Sequence, residues 1–422
     1  MKYIIKYLPH CHYLQNCGIN SAKSAAQYII NQYPQDDLVL ILDHIRETFA
    51  QWGDQADDYV SKLCQLVELI KLSKPNWKVF LLVNIASKNT YDELLVSKFD
   101  DIFYFEVNAY RTLREIVGNK LSPVLYRWPK NADKFLFLTG IPSRINRIRL
   151  LYKLSQTELM DNCEWSFPAE TDPVHLLKSQ LLIPELSKTE FNDFIKKYSR
   201  KLDKNLVGHR HNSMLYEASV YANTCFSLVS ETHFTTTTAP HITEKTYKSI
   251  LNNHPFIIAG DTNLSNYLNS LGFITYEKYF AINDYDVIAD PELRLDAVIE
   301  NVRSFLTNIR THTAEIEEIV QYNFDNLLKL YKDLQEEIQN FIVKNNLSLT
   351  ADELINVSTV LPEPLIPINL TELTKKNNKF CTFYNIVKDK SWPECKQEAD
   401  YDQLPVNIKQ ELCNVFGYVE EI

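Results

Sequence analysis

Ser230, Glu231, Glu244 and Lys245 fall within one short window and are of the types that hold a charged, hydroxylated ligand. The window runs from Phe226 to Tyr276 and contains the strings FSLVSETHF, PHITEKTYKSILNNHPFIIAGD and YLNSLGFITY. Thr243 stands just before Glu244 and Lys245. A threonine in that place accepts a hydrogen bond from a first-turn amide and marks a helix start. The unpaired amides of that turn carry positive character and suit a phosphate. Lys245 adds a mobile full charge, and the Glu244 carboxylate can accept from two vicinal hydroxyls such as those of a ribose. The plainer account is a capped first turn whose Glu and Lys are simply solvated.

Positioning these groups requires a strand, a loop and a helix. Phe226 to Glu231 has strand character, and a loop from His233 to Pro240 with four successive threonines follows. Tyr247, Ile250 and Leu251 then recur at helical spacing, and Pro255 to Gly260 reads as a second apolar strand. In such a unit the strand's carboxyl end and the helix's amino end meet at one sheet edge, where open α/β folds bind ligands. An earlier block reads as another strand, loop and helix: Phe135 to Gly140, then Pro142 through Arg144, Arg147 and Arg149 to Tyr152. Arg144 and Arg147 are its candidate cations, with a basic helix start as the plainer account.

The string ITEKTYKSILNNHPFIIAGD resembles the donor-binding motif of the alpha-1,3-fucosyltransferases, in which an acidic-Lys pair opens a helix that precedes an apolar strand ending in Gly. It is also similar to exostosin-like transferases and to uncharacterised phage and bacterial glycosyltransferases. The resemblance implies that Lys245 contacts the donor pyrophosphate, that Glu244 contacts the nucleotide sugar, and that Arg144 or Arg147 neutralises the diphosphate. It implies an α/β fold of the GT-B kind, two Rossmann-like domains facing across a cleft with C-terminal helices and a tail. The donor would bind the second domain and the acceptor the first. No cofactor or metal is expected, and a GDP-sugar is favoured over a UDP-sugar. The acceptor stays open among glycan, protein and modified nucleic-acid base. Ser230-Glu231-Thr232 replaces the Glu-Asn usual in the fucosyltransferases, and the threonine loop is longer.

At 422 residues the chain suggests two domains, and 45% hydrophobic with 23% charged residues is ordinary globular composition. The apolar stretch before Pro9 is too short for a signal peptide or a membrane span. The eight cysteines show no metal-ligand spacing and read as free thiols in a reducing, cytoplasmic setting. Four N-x-S/T sequons, at Asn263, Asn346, Asn356 and Asn369, are then without consequence. Only eight glycines occur, and the closest pair, Gly260 and Gly272, excludes both G-x-G-x-x-G and G-x-x-x-x-G-K. A nucleotide site must therefore use helix ends and Lys or Arg. The net charge of −10 argues against general nucleic-acid affinity, and the basic run from Lys188 to His211 reads as a solvated helix.

Residues 1–130 alternate strand and helix signals, predicting a parallel sheet with covering helices on the acceptor side. Pro123 to Lys130 reads as a linker. The alternation restarts at Phe135 and runs through Ile274 to Tyr276, giving a nucleotide-sugar domain over 131–345 with a helical, charged insertion near 155–215. Periodic apolar residues from Leu295 to Ile338 predict long amphipathic helices, and 346–422 form an extension whose role is not legible.

An inverting transferase needs a base near the acceptor hydroxyl. Asp43 and Glu106 end predicted strands and are the first and second candidates, with His10 and His12 in the loop after the first strand. Strand-end acids also cap helices. A metal-dependent GT-A enzyme would instead use Asp284-Tyr-Asp286 or Asp400-Tyr-Asp402, which match only the letters of an Asp-x-Asp motif. A non-catalytic binding protein on the same scaffold is the third reading.

Overall fold

The structure, a computed structural model, describes residues 3–7, 22–33, 35–44, 56–85, 88–118, 133–139, 144–167, 179–200, 218–237 and 240–351, with single residues 176, 202 and 354. His10, His12, the Pro123–Lys130 segment, Gly140, Asp400, Asp402 and nearly all of 346–422 lie outside them.

The protein is α/β, with two separate parallel sheets. The first has strands β1 (Tyr3–Tyr7), β2 (Leu38–His44), β3 (Lys78–Asn84) and β4 (Asp101–Phe105) in spatial order β1-β2-β3-β4. Helices α1 (Ala22–Gln32), α2 (Ala56–Ser73), α3 (Lys88–Val96) and α4 (Val107–Gly118) alternate with them. The apolar run of β3 is buried at every position after Lys78, as a strand covered on both faces must be. Alternate residues divide the sheet between two cores. Leu40, Leu42, Leu81 and Val83 pack with Ile29, Leu63, Val67 and Ile70 of α1 and α2. Ile41, Phe80, Leu82, Phe103 and Phe105 join a larger core that continues into the second half of the chain.

The second sheet contains β5 (Phe135–Leu138), β6 (Cys163–Ser166), β7 (Ser227–Ser230) and β8 (Phe256–Ala259) in the order β6-β5-β7-β8. A π-helical turn, Ile145–Arg149, leads from β5 into α5 (Leu150–Ser155). Then follow α6 (Lys188–Tyr198), α7 (Ala218–Ala222), α8 (Glu244–Leu251), α9 (Leu264–Ser270), α10 (Pro291–Thr311) and α11 (Thr313–Lys344). The segment expected to be a helical insertion holds α6, opened by a Ser187/Glu190 capping box, but also β6, which extends the sheet beside β5. Four residues reading Cys-Glu-Trp-Ser carry too little alternation to declare themselves a strand. In α6, Lys196 and Lys197 are exposed, as a solvated helix requires.

No strand forms at Ile274 to Tyr276. The Asn323 side chain of α11 takes the place of a strand partner, its Oδ1 accepting from Ile274 N and its Nδ2 donating to Ile274 O, both at 2.8 Å. Asn301 of α10 holds Ile282 in the same way at 2.8 and 2.9 Å. A carboxamide reproduces the donor and acceptor of one peptide unit, so these asparagines satisfy backbone groups that an irregular segment would leave unpaired. At its far end α11 reaches the first sheet. Phe341 stacks on Phe103 at 4.8 Å and meets Phe80 edge-on at 5.8 Å, while Lys344 and Asn345 each contact Asp101 at 2.8 Å. No helix among the described residues is long and apolar enough to cross a membrane.

Asn323→Leu preserves volume but strips Ile274 of both partners, and should lower the unfolding free energy by about 2 kcal/mol in urea denaturation.

Candidate functional site

Glu231 immediately follows β7 and is fully buried. A buried carboxylate is tolerated only when its lone pairs are filled, and here four donors converge on it. Its Oε1 accepts from Thr243 N at 3.2 Å and from Thr246 Oγ1 at 2.6 Å. Its Oε2 accepts from Thr232 N at 3.2 Å and from the Thr243 hydroxyl. The carboxylate thus ties the strand end to the first turn of α8 across the whole threonine loop. Thr243 is the N-cap, as its position predicted, and its Oγ1 accepts from Lys245 N at 3.5 Å. Gly260 lies alongside, where an added Cβ would stand 3.1 Å from the Glu231 Cβ and 2.4 Å from a Leu264 methyl.

Three cations share this edge. Lys245 Nζ donates to Thr232 Oγ1 at 3.0 Å and Thr243 Oγ1 at 2.9 Å, and lies 3.5 Å from Glu244 and 4.0 Å from Glu231. Arg144 opens the π-helical turn and donates to Thr232 O. Arg147 is nearly fully buried; desolvation and the adjacent Arg144 push its pKa down to about 10, against the pull of Glu231 and Glu244, so it stays charged at neutral pH. Between the arginines, Asn146 donates from Nδ2 to Glu231 O at 2.7 Å and Ala259 O at 3.1 Å. Ser230 returns the contact, its Oγ donating to Asn146 O at 2.8 Å. The π-turn, the ends of β7 and β8, and the amino end of α8 are therefore bound into one surface. Arg144, Arg147, Lys245 and a helix amino terminus stand here with the Glu231 and Glu244 carboxylates, and the buried Asp261 carboxylate feels the charge of Glu231.

His233 and His241 bracket the threonine loop, and their rings meet at 5.8 Å. Burial and the neighbouring His241, Arg144, Lys245 and Arg147 push His233 down to about 3, while burial and Lys245 push His241 down to about 4. Both imidazoles are neutral in the pH range where the cations are charged. Asp261, buried after β8, holds the loop by accepting from Thr235 N, Thr235 Oγ1 and His241 N.

The first sheet reaches the second through Glu106, which directly follows β4. Tyr267 of α9 donates to Glu106 Oε2 at 2.6 Å, Glu106 Oε1 accepts from Asn108 N at 3.1 Å, and Asn108 Nδ2 donates to Ile242 O at 2.8 Å. Burial raises the Glu106 pKa to about 7, over the opposing hydrogen bonds from Tyr267 and the Asn108 and Ala109 amides. Asp43 pairs in register with Leu82 on β2, with β3 standing between β2 and β4.

Of the residues chosen by sequence, Arg144, Arg147, Glu231, Thr243, Glu244 and Lys245 come together. Ser230 joins them through its bond to Asn146, and Glu106 approaches from the first sheet. Sequence reasoning passed over His233, His241, Asn146, Thr246 and Tyr267. The two histidines had a signal, since each flanks the threonine loop inside the strings already singled out, but loop closure alone brings their rings together. Asp286 is committed to structure, its carboxylate accepting from Ser265 N at 2.8 Å at the start of α9. Ser227 and His254, a pair with a nucleophile's letters, lie fully buried at the opposite end of β7, where the ring bridges Ser227 Oγ at 2.7 Å and Thr224 O at 2.8 Å.

Glu231→Gln replaces two acceptor positions by donors that face the Thr232 and Thr243 groups, and should lower stability by about 2 kcal/mol by chemical denaturation. Glu106 binds its proton more tightly folded than unfolded, so its contribution to stability is complete below pH 4.5 and is lost as pH rises through about 7. Glu106→Gln should therefore gain about 3 kcal/mol relative to the parent between pH 4.5 and pH 8, read as the pH dependence of the difference in unfolding free energy. No family model, curated protein or solved structure matches this chain.

Proposed function

We propose that this chain is a glycosyltransferase that moves a hexosyl or fucosyl group from a nucleotide-diphosphate donor to an acceptor hydroxyl, with the diphosphate held at the Arg144, Arg147, Lys245 and α8 edge. The observation that carries the reading is the convergence of the buried Arg147 and the partly buried Arg144 and Lys245 on a capped helix end at the carboxyl edge of a parallel sheet, the place where such sheets bind nucleotides. In an inverting displacement the acceptor oxygen attacks the anomeric carbon while the bond to the diphosphate oxygen breaks. Negative charge grows on the departing oxygens, and cations already in position lower that barrier without reorganising. Glu244, at the same edge, is the group we assign to the sugar or ribose hydroxyls.

The two sheets correspond to the paired Rossmann-like domains of a GT-B enzyme, with the acceptor on the side of the first. Asp43 and Glu106 are the candidate bases. For Glu106 to act, Tyr267 must release its hydrogen bond, which means opening the contact between the halves at that point. A GDP-sugar is the first donor to test and a UDP-sugar the second. Free thiols at Cys64, Cys163 and Cys225 fit a protein that works in a reducing compartment.

A thermal-shift panel of GDP-, UDP-, ADP- and dTDP-sugars with a CMP-sugar tests the reading, since a ligand at a hundred times its dissociation constant stabilises by about 2.7 kcal/mol. Lys245→Ala should weaken binding of the cognate nucleotide by at least about 1.5 kcal/mol while the circular dichroism spectrum stays that of the parent. Calorimetry showing unchanged affinity would place the diphosphate elsewhere.

A further inference from the structure

His241 is 4% exposed, and its Nδ1 has no hydrogen-bond partner. An unfilled polar atom at such depth is uncommon and calls for a ligand or a role. Its surroundings are specific. The ring stands two residues before the N-cap of α8, edge-on to His233 at an interplanar angle of 64°. Lys245 and Glu244 act on it from α8, Arg144 and Arg147 act on His233 beside it from the π-turn, Glu231 accepts from the Thr243 amide two residues further on, and Asp261 holds its backbone amide. The ring is buried against His233, within reach of the Lys245 and Glu244 charges at the start of α8.

Resting on the proposed diphosphate site, we propose that His241 takes up one proton from solvent when a nucleotide sugar binds and donates a hydrogen bond from Nδ1 to a phosphate oxygen. Burial first, and Lys245 second, disfavour the imidazolium against the opposite pull of Glu244. A diphosphate diester brings two negative charges to the same edge. An opposite charge within about 4–6 Å favours a neighbour's charged form by a factor of about 10–1000. The two charges of the diester oppose the burial and the Lys245 charge that hold His241 down at about 4. The imidazolium would then join Lys245, Arg144 and Arg147 around the leaving group and strengthen the grip as pH falls.

The test is calorimetric titration of the full chain with GDP-, UDP-, ADP- and dTDP-sugars, whose diphosphate diesters have no proton to lose near neutral pH. Titrations at pH 6.5 in two phosphate-free buffers of low and high ionisation enthalpy should differ by the heat of up to one proton taken up. Affinity should rise about fivefold between pH 7 and pH 6. His241→Asn keeps a donor near the Nδ1 position without a titrating ring, and should retain binding but abolish both effects. Binding with the same enthalpy in both buffers overturns the proposal and leaves the diphosphate site standing. Uptake that persists in a folded His241→Asn variant overturns it as well. No binding of any of the sugars removes the site and the proposal together.

Discussion

The buried carboxylate of Glu231 is the constraint on which the rest of the candidate site depends. Removing an ion from water is unfavourable by several kcal/mol unless donors replace the lost hydration. Four donors do so here, and they come from Thr232, Thr243 and Thr246, which lie on both sides of the threonine loop. Satisfying one charge therefore fixes the distance and angle between a strand end and a helix start. The same requirement explains why Thr243 serves two masters. Its hydroxyl proton goes to Glu231, and its lone pairs remain for the Lys245 amide and ammonium. Lys245 is consequently anchored at its base and at its tip.

Around that anchor, charge is arranged against its own preference. Arg144 and Arg147 repel each other, both lie in a region that penalises ions, and both are held there by one short π-helical turn. An extra residue in a helical turn rotates the side chains that follow, so Asn146 can reach two strand ends while the arginines flank it. Desolvation and mutual repulsion both work against these charges, and perturbed groups of this kind cluster at functional sites. The histidines report the same field from within, since burial first and the neighbouring cations second keep them neutral.

The link between the two sheets obeys the same physics at lower charge. Glu106 is buried where β4 meets α9, and its main partner is a tyrosine from the other half of the chain. Asn108 adds a carboxamide contact to the loop just before α8, so the first sheet touches the very segment that carries the cations. At the back, α11 returns from the second sheet to place Phe341 between Phe80 and Phe103. Movement between the halves at the Glu106 contact would break hydrogen bonds there, whereas the contact at α11 is aromatic packing.

Much of this was legible in the residues. Continuous apolar runs specified buried parallel strands, because a strand covered on both faces can carry no polar alternation. Thr243 announced its helix through the chemistry of an N-cap, and the lack of clustered glycines left Lys and Arg as the groups able to hold a phosphate. Short or irregular pieces were not legible. β6 has four residues and no period, and the segment at Ile274 reads as a strand because Ile, Thr and Tyr favour one, yet an asparagine 49 residues later occupies its backbone groups. Local composition determined which elements form and which residues can bear charge. Only the tertiary structure decided that Glu231 would be an organiser buried beneath the cations, that Glu106 would face a tyrosine, and that two histidines at opposite ends of a loop would meet, because hydrogen bonds and charges act through space between residues whose spacing along the chain encodes none of it.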